Sequence, residues 1–427
     1  MNWELPGQLL LDLAVIITVA HLFGAVARRL GQPVVIGEIV GAILLGPTLL
    51  HGELTEGLFR AGTRPTLQLM ADIGICAFMF LVGLGVDRTL LSGQGRLAGT
   101  VALSSIALPF GLGTVLALYL LGSHPASHEP VFVLFLGTAM SVTAFPVLAR
   151  ILTDRELIHT PIGGIALAVA AVDDVVAWTL LALVAALADG AGDPWRLLLA
   201  LPYAGCMIWV VRPLLAGLVR RRAAAGRSSR AAGAAVLVVV PAGVLLSAKA
   251  TDLLGLHLIF GAFLFGAVLP REGAPGLRRR ALPWLERLCS LLLLPVFFAL
   301  AGMKVDLSSM DATAYGELGL ILLAAIGGKF GGAYLGARAN GVHARHATVL
   351  AVLVNTRGLT ELIVLSVGLQ IGVLSQQLYS LMVVMALITT AMTGVVLHFV
   401  YPPEQVRRDV AGNGTKLRTD QGDPARP

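Results

Sequence analysis

Residues 163–187 read GGIALAVAAVDDVVAWTLLALVAAL, an apolar run with two adjacent carboxylates, Asp173 and Asp174, near its middle. About 20 apolar residues of helix cross the hydrocarbon core of a bilayer, so the run is long enough to span. Each ionisable residue at mid-membrane costs about 2.5–3.5 kcal/mol on insertion scales, and two side by side repel if both ionise. A chain that keeps both is expected to use their charge. A paired site that takes up protons or bare cations is the first expectation.

The rest of the chain has the same character. Of its 427 residues 56% are hydrophobic and 13% charged, with a mean hydropathy of +0.83. A soluble domain carries about 25% charged residues. The apolar runs are continuous, whereas an outer-membrane barrel shows short alternating segments. An all-α integral membrane protein is therefore expected, with thirteen spans at about 8–27, 34–50, 67–87, 97–122, 131–152, 161–187, 197–219, 231–249, 254–270, 284–303, 315–337, 345–371 and 377–400.

The basic residues orient these spans. Alternate loops hold Arg28-Arg29, Arg88 and Arg96, Arg150 and Arg155, Arg220-Arg221-Arg222, Arg278-Arg279-Arg280, Arg338 and Arg345, and Arg407-Arg408; the opposite loops hold only Arg60, Arg64, Arg196, Lys249 and Lys304. Lys and Arg concentrate on the cytoplasmic side, which places the N-terminus outside and the C-terminus inside a cell (inner or plasma) membrane. The net charge of +6 follows from this topology and implies no nucleic-acid partner. The start, MNWELPGQ, lacks the basic region of a cleaved signal peptide. Residues 403–427 are polar, expected to be a disordered cytoplasmic tail and too short for a nucleotide-binding domain. Cys76, Cys206 and Cys289 lie in apolar runs at no metal-like spacing and are read as packing residues.

An internal repeat is visible. Leu81-Val82-Gly83-Leu84-Gly85-Val86-Asp87 and Leu300-Ala301-Gly302-Met303-Lys304-Val305-Asp306 share Leu, Gly, Val and Asp in register, on spans that run in opposite directions. An inverted repeat, about 8–187 and about 231–400 joined by a linking helix at about 197–219, accounts for the odd span number. Such repeats are a transporter architecture with the site near the midplane at discontinuous helices. The repeat pairs the fifth span, containing Ser141-Val142-Thr143-Ala144-Phe145-Pro146, with the twelfth, containing Asn355-Thr356-Arg357-Gly358-Leu359-Thr360-Glu361. Pro146 removes a backbone donor and clashes with the preceding turn. Broken helices there would present carbonyls and helix ends to a cation; kinked helices with Ser and Thr bonded to their own backbone are the alternative.

On a helix, Asp173 and Asp174 point about 100° apart. One can face a cavity while the other faces a neighbouring helix. Lys329, within Gly327-Gly328-Lys329-Phe330-Gly331-Gly332, is too central to snorkel easily and needs an acidic partner or must lose its proton. Asp173 is the expected partner, with the glycines admitting a close helix; a purely structural bridge is the alternative. Arg357 and Glu361 are four residues apart and can pair, as a brace or in transport. Glu38 and Asp72 are shallower, fitting packing or gating. His21 and His257 are expected as core histidines, and Asp12 and Glu286 as span-end residues reaching headgroups. No phosphate-binding Gly-x-x-x-x-Gly-Lys-Ser/Thr loop, metalloprotease His-Glu-x-x-His or potassium-filter Thr-Val-Gly-Tyr-Gly occurs. No cofactor is expected and no enzyme activity.

Several stretches resemble the monovalent cation:proton antiporters of the second cation–proton antiporter family, over residues 8–400. They are Gly37-Glu38-Ile39-Val40-Gly41 through Gly46-Pro47, Ser141-Val142-Thr143-Ala144-Phe145-Pro146-Val147-Leu148-Ala149-Arg150, Asp173-Asp174, and Asn355–Glu361. The second and last of these are similar to the plant cation/proton exchanger branch and its bacterial relatives. The resemblance implies a core domain moving elevator-like against a dimerisation domain, hence a homodimer in membrane lipid. It implies Asp174 as the ion carrier, Asp173 as the position before it, Lys329 as that residue's partner, and Thr143 with its neighbours, Ser141 included, as the unwound segment. Where the plant branch commonly has Asn-Asp this chain has Asp-Asp, so its stoichiometry is not carried over. The expected activity is exchange of Na⁺ or K⁺ for protons, the two competing at Asp174. A cation channel or uniporter on the same scaffold, an organic-anion transporter, and a membrane enzyme or sensor are the rival readings.

Overall fold

The computed structural model describes residues 4–48, 58–59, 62–85, 95–157, 160–188, 195–217, 229–254, 257–270, 282–308 and 310–402. Val86, Asp87, the Arg220 and Arg278 clusters and the tail at 403–427 lie outside the described residues. The described chain is helical throughout: α1 (Glu4–Arg29), α2 (Val34–Leu45), α3 (Arg64–Gly85), α4 (Gly95–Leu120), α5 (Glu129–Ser141), α6 (Phe145–Asp154), α7 (Pro161–Ala188), α8 (Trp195–Cys206, continued by a π turn, Met207–Val211), α9 (Ser229–Leu253), α10 (Leu258–Val268), α11 (Leu282–Leu288), α12 (Leu294–Gly302, joined to α11 by a π turn), α13 (Ala312–Ala339), α14 (Ala344–Val354), α15 (Leu359–Gln370) and α16 (Gln376–Val400). In lipid the backbone has no water to bond, so these apolar runs satisfy it internally as helix.

Among the described residues eight helices are long and apolar enough to cross a membrane, nine if the bent pair α14–α15 counts as one span. That is fewer than the thirteen expected. The helices α2 and α10 are apolar but have only 12 and 11 residues, about 18 and 16 Å of helix against a core of about 30 Å. The first stops at Gly46-Pro47 and the second before Leu269-Pro270, since the residue before a proline is pushed out of helical geometry. The protein is a multi-pass membrane protein, with large apolar side chains such as Leu22, Trp209, Leu246 and Phe399 exposed on its surface.

The helices pack in two groups. In one, α4–α7 and α13–α16 lie against each other; in the other, α1–α3 and α9–α12. The closest approach in the first group is α13 on α4. A Cβ on Gly332 would stand 2.3 Å from the Ser104 carbonyl oxygen, and one on Gly328 2.7 Å from Pro109 Cα. Gly327 meets nothing within 4 Å and Gly331 only the tip of Leu108. Of the four glycines around Lys329, two admit the neighbouring backbone. The two groups meet along a seam where Tyr379 Oη donates to the Ala301 carbonyl (2.9 Å), the Asp306 N–H donates to Ser380 Oγ (3.0 Å), and Gln376 Nε2 donates to the Lys304 carbonyl.

Several lesser expectations change. Asp12 is 1% exposed and does not reach headgroups: Thr63 Oγ1 donates to it at 2.5 Å and Gln8 Nε2 at 2.9 Å, tying α1 to the start of α3. His21 is exposed on α1 rather than buried, because its helix lies at the edge of the bundle. Cys206 is exposed, while Cys76 and Cys289 are buried.

Candidate functional site

Two interruptions create the centre of the first group. α5 ends at Ser141 and α6 starts at Phe145, with Pro146 in the first turn of the new helix, where no backbone donor is needed. Pro146 thus starts a second half-helix instead of kinking a continuous one. α14 ends at Val354 and α15 starts at Leu359, the two axes meeting at 44°. The extended segments between them cross, and the Ala144 N–H donates to the Thr356 carbonyl at 3.0 Å. Two helix C-termini, with partial negative charge, and two N-termini, with partial positive charge, therefore point into one region of the membrane.

Each orphaned C-terminus is capped at the crossing, that of α5 from the other segment and that of α14 from both segments. Arg357 Nη1 and Nη2 donate to the Ala139 and Met140 carbonyls at the end of α5 (3.0 and 2.5 Å), and Nη1 also donates to Glu361 Oε2 (2.8 Å). At the end of α14, Thr356 Oγ1 donates to the Leu353 carbonyl (2.7 Å) and Thr143 Oγ1 lies 2.9 Å from the Val354 carbonyl. A planar guanidinium with donors fixed in a fork serves two carbonyls and a carboxylate at once. The Arg357 carbonyl in turn accepts from Thr390 Oγ1 on α16 (2.7 Å).

The middle of α7 enters this crossing. Asp173 Oδ2 accepts from Lys329 Nζ on α13 (2.6 Å) and lies 2.5 Å from Thr143 Oγ1. The one hydroxyl proton of Thr143 can serve either Asp173 or the Val354 carbonyl. The hydroxyl therefore suits both states of Asp173: it donates to the carboxylate, or it accepts from the protonated acid and donates to Val354. Asp174, one residue on and rotated by about 100°, faces the start of α6 near the Phe145 N–H. Its Oδ1 is buried and has no hydrogen-bond partner among the described residues. The same holds for Asp173 Oδ1, Glu361 Oε1 and both side-chain polar atoms of Asn355.

Asp173, Asp174, Lys329, Arg357 and Glu361 are each at most 1% exposed. Three carboxylates thus face two bases. Two of the carboxylates hold a basic partner at salt-bridge distance, Asp173–Lys329 and Glu361–Arg357. The third carboxylate, Asp174, has no basic partner at that distance among the described residues. An isolated charge there is costly in low dielectric. No group of three or more His, Cys, Asp or Glu residues able to hold a resident metal occurs among the described residues.

Of the residues singled out in the sequence, the structure brings Thr143, Asp173, Asp174, Lys329, Thr356, Arg357 and Glu361 to this crossing. Ser141 is adjacent but turned away, its Oγ donating to the Thr138 carbonyl at 2.8 Å within α5. Asn355, noted in the sequence only as part of the second break, and Thr390, not noted at all, also belong to the crossing. Asn355 was legible as a polar residue at mid-span; Thr390, at the end of a Thr-Thr pair that bonds back into α16, looks like any helical threonine.

Comparison with known proteins agrees with this architecture. The family model for "Sodium/hydrogen exchanger, transmembrane" matches residues 15–401. The Na(+)/H(+) antiporter NhaS4 of Synechocystis is 39% identical over 404 residues, 92% of this chain and 97% of that protein. Cation/H(+) antiporter 20 of Arabidopsis thaliana is 38% identical over 94% of this chain but only 49% of its own length, so the chain spans about half of that relative. The K(+)/H(+) antiporter 1 of Saccharomyces cerevisiae is 32% identical over 92% of this chain and 46% of its own length. Among solved structures, the sodium proton antiporter MjNhaP1 of Methanocaldococcus jannaschii shares the fold, with a TM-score of 0.65 at 16% identity, covering 94% of this chain and 99% of that one. With its broken helices crossing at a buried acidic pair, the chain belongs to the sodium/hydrogen exchanger family of membrane cation/proton antiporters.

Proposed function

We propose that this antiporter exchanges a monovalent cation for protons by competition at Asp174. One observation carries the reading: Asp174 is a buried carboxylate with a free oxygen in a centre whose other charges are matched in pairs. A proton or a bare Na⁺ or K⁺, not both, neutralises it, and the neutralised group of helices then crosses between faces. Thr143, Asp173 and Lys329 hold the geometry beside it, and release of Asp173 from Lys329 offers a second exchangeable proton. The names of the Synechocystis and yeast relatives carry Na⁺ and K⁺ respectively.

In this reading the chain is a thirteen-span inverted repeat. α4–α7 and α13–α16 form the moving core, and α1–α3 with α8–α12 form the scaffold through which two copies dimerise. The N-terminus faces outside a cell membrane and the arginine-rich loops face the cytoplasm. The test is reconstitution in liposomes with an internal pH dye. Wild-type protein exchanges Na⁺ or K⁺ for protons, and Asp174→Asn abolishes the exchange. Wild-type rates in Asp174→Asn overturn the reading, and cation flux without proton flux favours the channel instead.

A further inference from the structure

A cavity opens on the seam between the two groups of helices, at the arginine-poor face. Gln68 and Asp72 of α3, Lys304 just after α12, His257 before α10, and Ser366 and Gln370 of α15 contribute its polar lining. Its volume is about 20 Å³, room for a single water-sized occupant. Along α15 it runs from Ile363 to Gln370, seven residues or about 10 Å of helix. Its inner end lies two residues beyond Glu361 of the crossing. The wall formed by α3 and α12 belongs to one group and the wall formed by α15 to the other, so sliding of one group on the other changes its depth.

The chemistry of the lining is that of a weak cation site. Asp72 Oδ1 accepts from Gln68 Nε2 at 2.9 Å, which orients the carboxylate. Across the cavity His257 Nε2 lies 3.3 Å from Gln370 Oε1, while His257 Nδ1 is buried with no partner among the described residues. Lys304 is the one lysine or arginine in the lining among the described residues. Burial pushes its amine below the usual lysine range, and the nearby Asp72 carboxylate opposes that shift. Yet no ion pair within 4 Å joins Lys304 to Asp72 among the described residues. The ammonium is tethered within the field of the carboxylate without being docked on it.

We propose that Asp72 is a vestibular site for the alkali cation on its way between the arginine-poor face and Asp174, and that Lys304 is a tethered cation competing for that site. The proposal rests on the exchange reading above. A carboxylate in a narrow cleft raises the local cation concentration, and a flexible ammonium nearby keeps that occupancy weak enough for onward transfer.

Right-side-out and everted membrane vesicles containing the full chain test this, because each exposes one face to added cation. For Asp72→Asn the apparent KM for cation added at the arginine-poor face rises at least threefold, while the KM at the opposite face and the maximal rate stay within twofold. Asp72→Glu keeps the wild-type KM, and Lys304→Gln lowers it at the arginine-poor face only. An unchanged KM at both faces, or an equal rise at both, overturns the vestibular site. A KM that is unchanged or higher in Lys304→Gln overturns the competitor role, and that variant carries the test if Asp72→Asn does not fold. Failure here is distinct from failure of the exchange reading, which shows instead as full exchange in Asp174→Asn at both faces.

Discussion

Lys329→Gln removes one half of a buried ion pair and leaves the other in place. Lys329 Nζ is 2.6 Å from Asp173 Oδ2, and both side chains are 0% exposed. With the ammonium gone, Asp173 keeps only the Thr143 hydroxyl on that oxygen, and its Oδ1 has no partner among the described residues. Deleting one partner of such a pair costs about 3–5 kcal/mol, because the survivor is a buried charge without compensation. An unfolding entropy of about 2.1 cal/mol/K per residue converts this into a fall in Tm of about 3–6 °C for a chain of this length. The double variant Asp173→Asn/Lys329→Gln removes both charges and regains at least half of the loss, the signature of a direct pairwise coupling. Thermal melting of the detergent-purified protein, followed by tryptophan fluorescence, measures all of this. A single variant that melts within 1 °C of wild type, or a double variant no more stable than the single, refutes the reasoning.

Two further substitutions probe the architecture around the pair. Arg357→Lys loses the fork that serves the Ala139 and Met140 carbonyls together with Glu361, and a point-charge ammonium reaches only part of that set. At about 1.5–3 kcal/mol for each charge-assisted bond lost, its melting temperature falls by several degrees; wild-type stability in Arg357→Lys would show that charge alone suffices. Gly332→Ala drives a methyl to 2.3 Å from the Ser104 carbonyl and costs about 1–3 kcal/mol. Gly327→Ala meets open space and gains up to about 1 kcal/mol of helix propensity. Equal melting shifts for the two alanines would remove the argument for close packing of α4 on α13.

How much of this was legible in advance varies with the range of the interaction. The break at 142–144 announces itself through Pro146, and the break at 355–358 through four polar or glycine residues in an apolar run. The placement of Pro146 at the start of a helix, and not at a kink, was not legible, because it depends on where the preceding helix stops. Asp12 looked like a span-end residue; only the return of the chain at Thr63, 51 residues later, buries it. Ser141 and Thr143 are two residues apart and chemically alike in the sequence. The first still belongs to α5 and bonds back into it, whereas the second lies in the extended segment and reaches α7.

By itself the sequence determined that this is a helical membrane protein with costly carboxylates and bases inside it. Helix formation in lipid is a local matter: each apolar segment must satisfy its own backbone, and its length and charge can be counted residue by residue. Tertiary structure decided which charges meet. Lys329 finds Asp173 across 156 residues, and Arg357 finds the carbonyls of Ala139 and Met140 across 218 and 217. Those partners follow from the direction each helix face points and from how closely glycines let the helices approach. That same packing leaves one carboxylate, Asp174, buried without a matching base among the described residues.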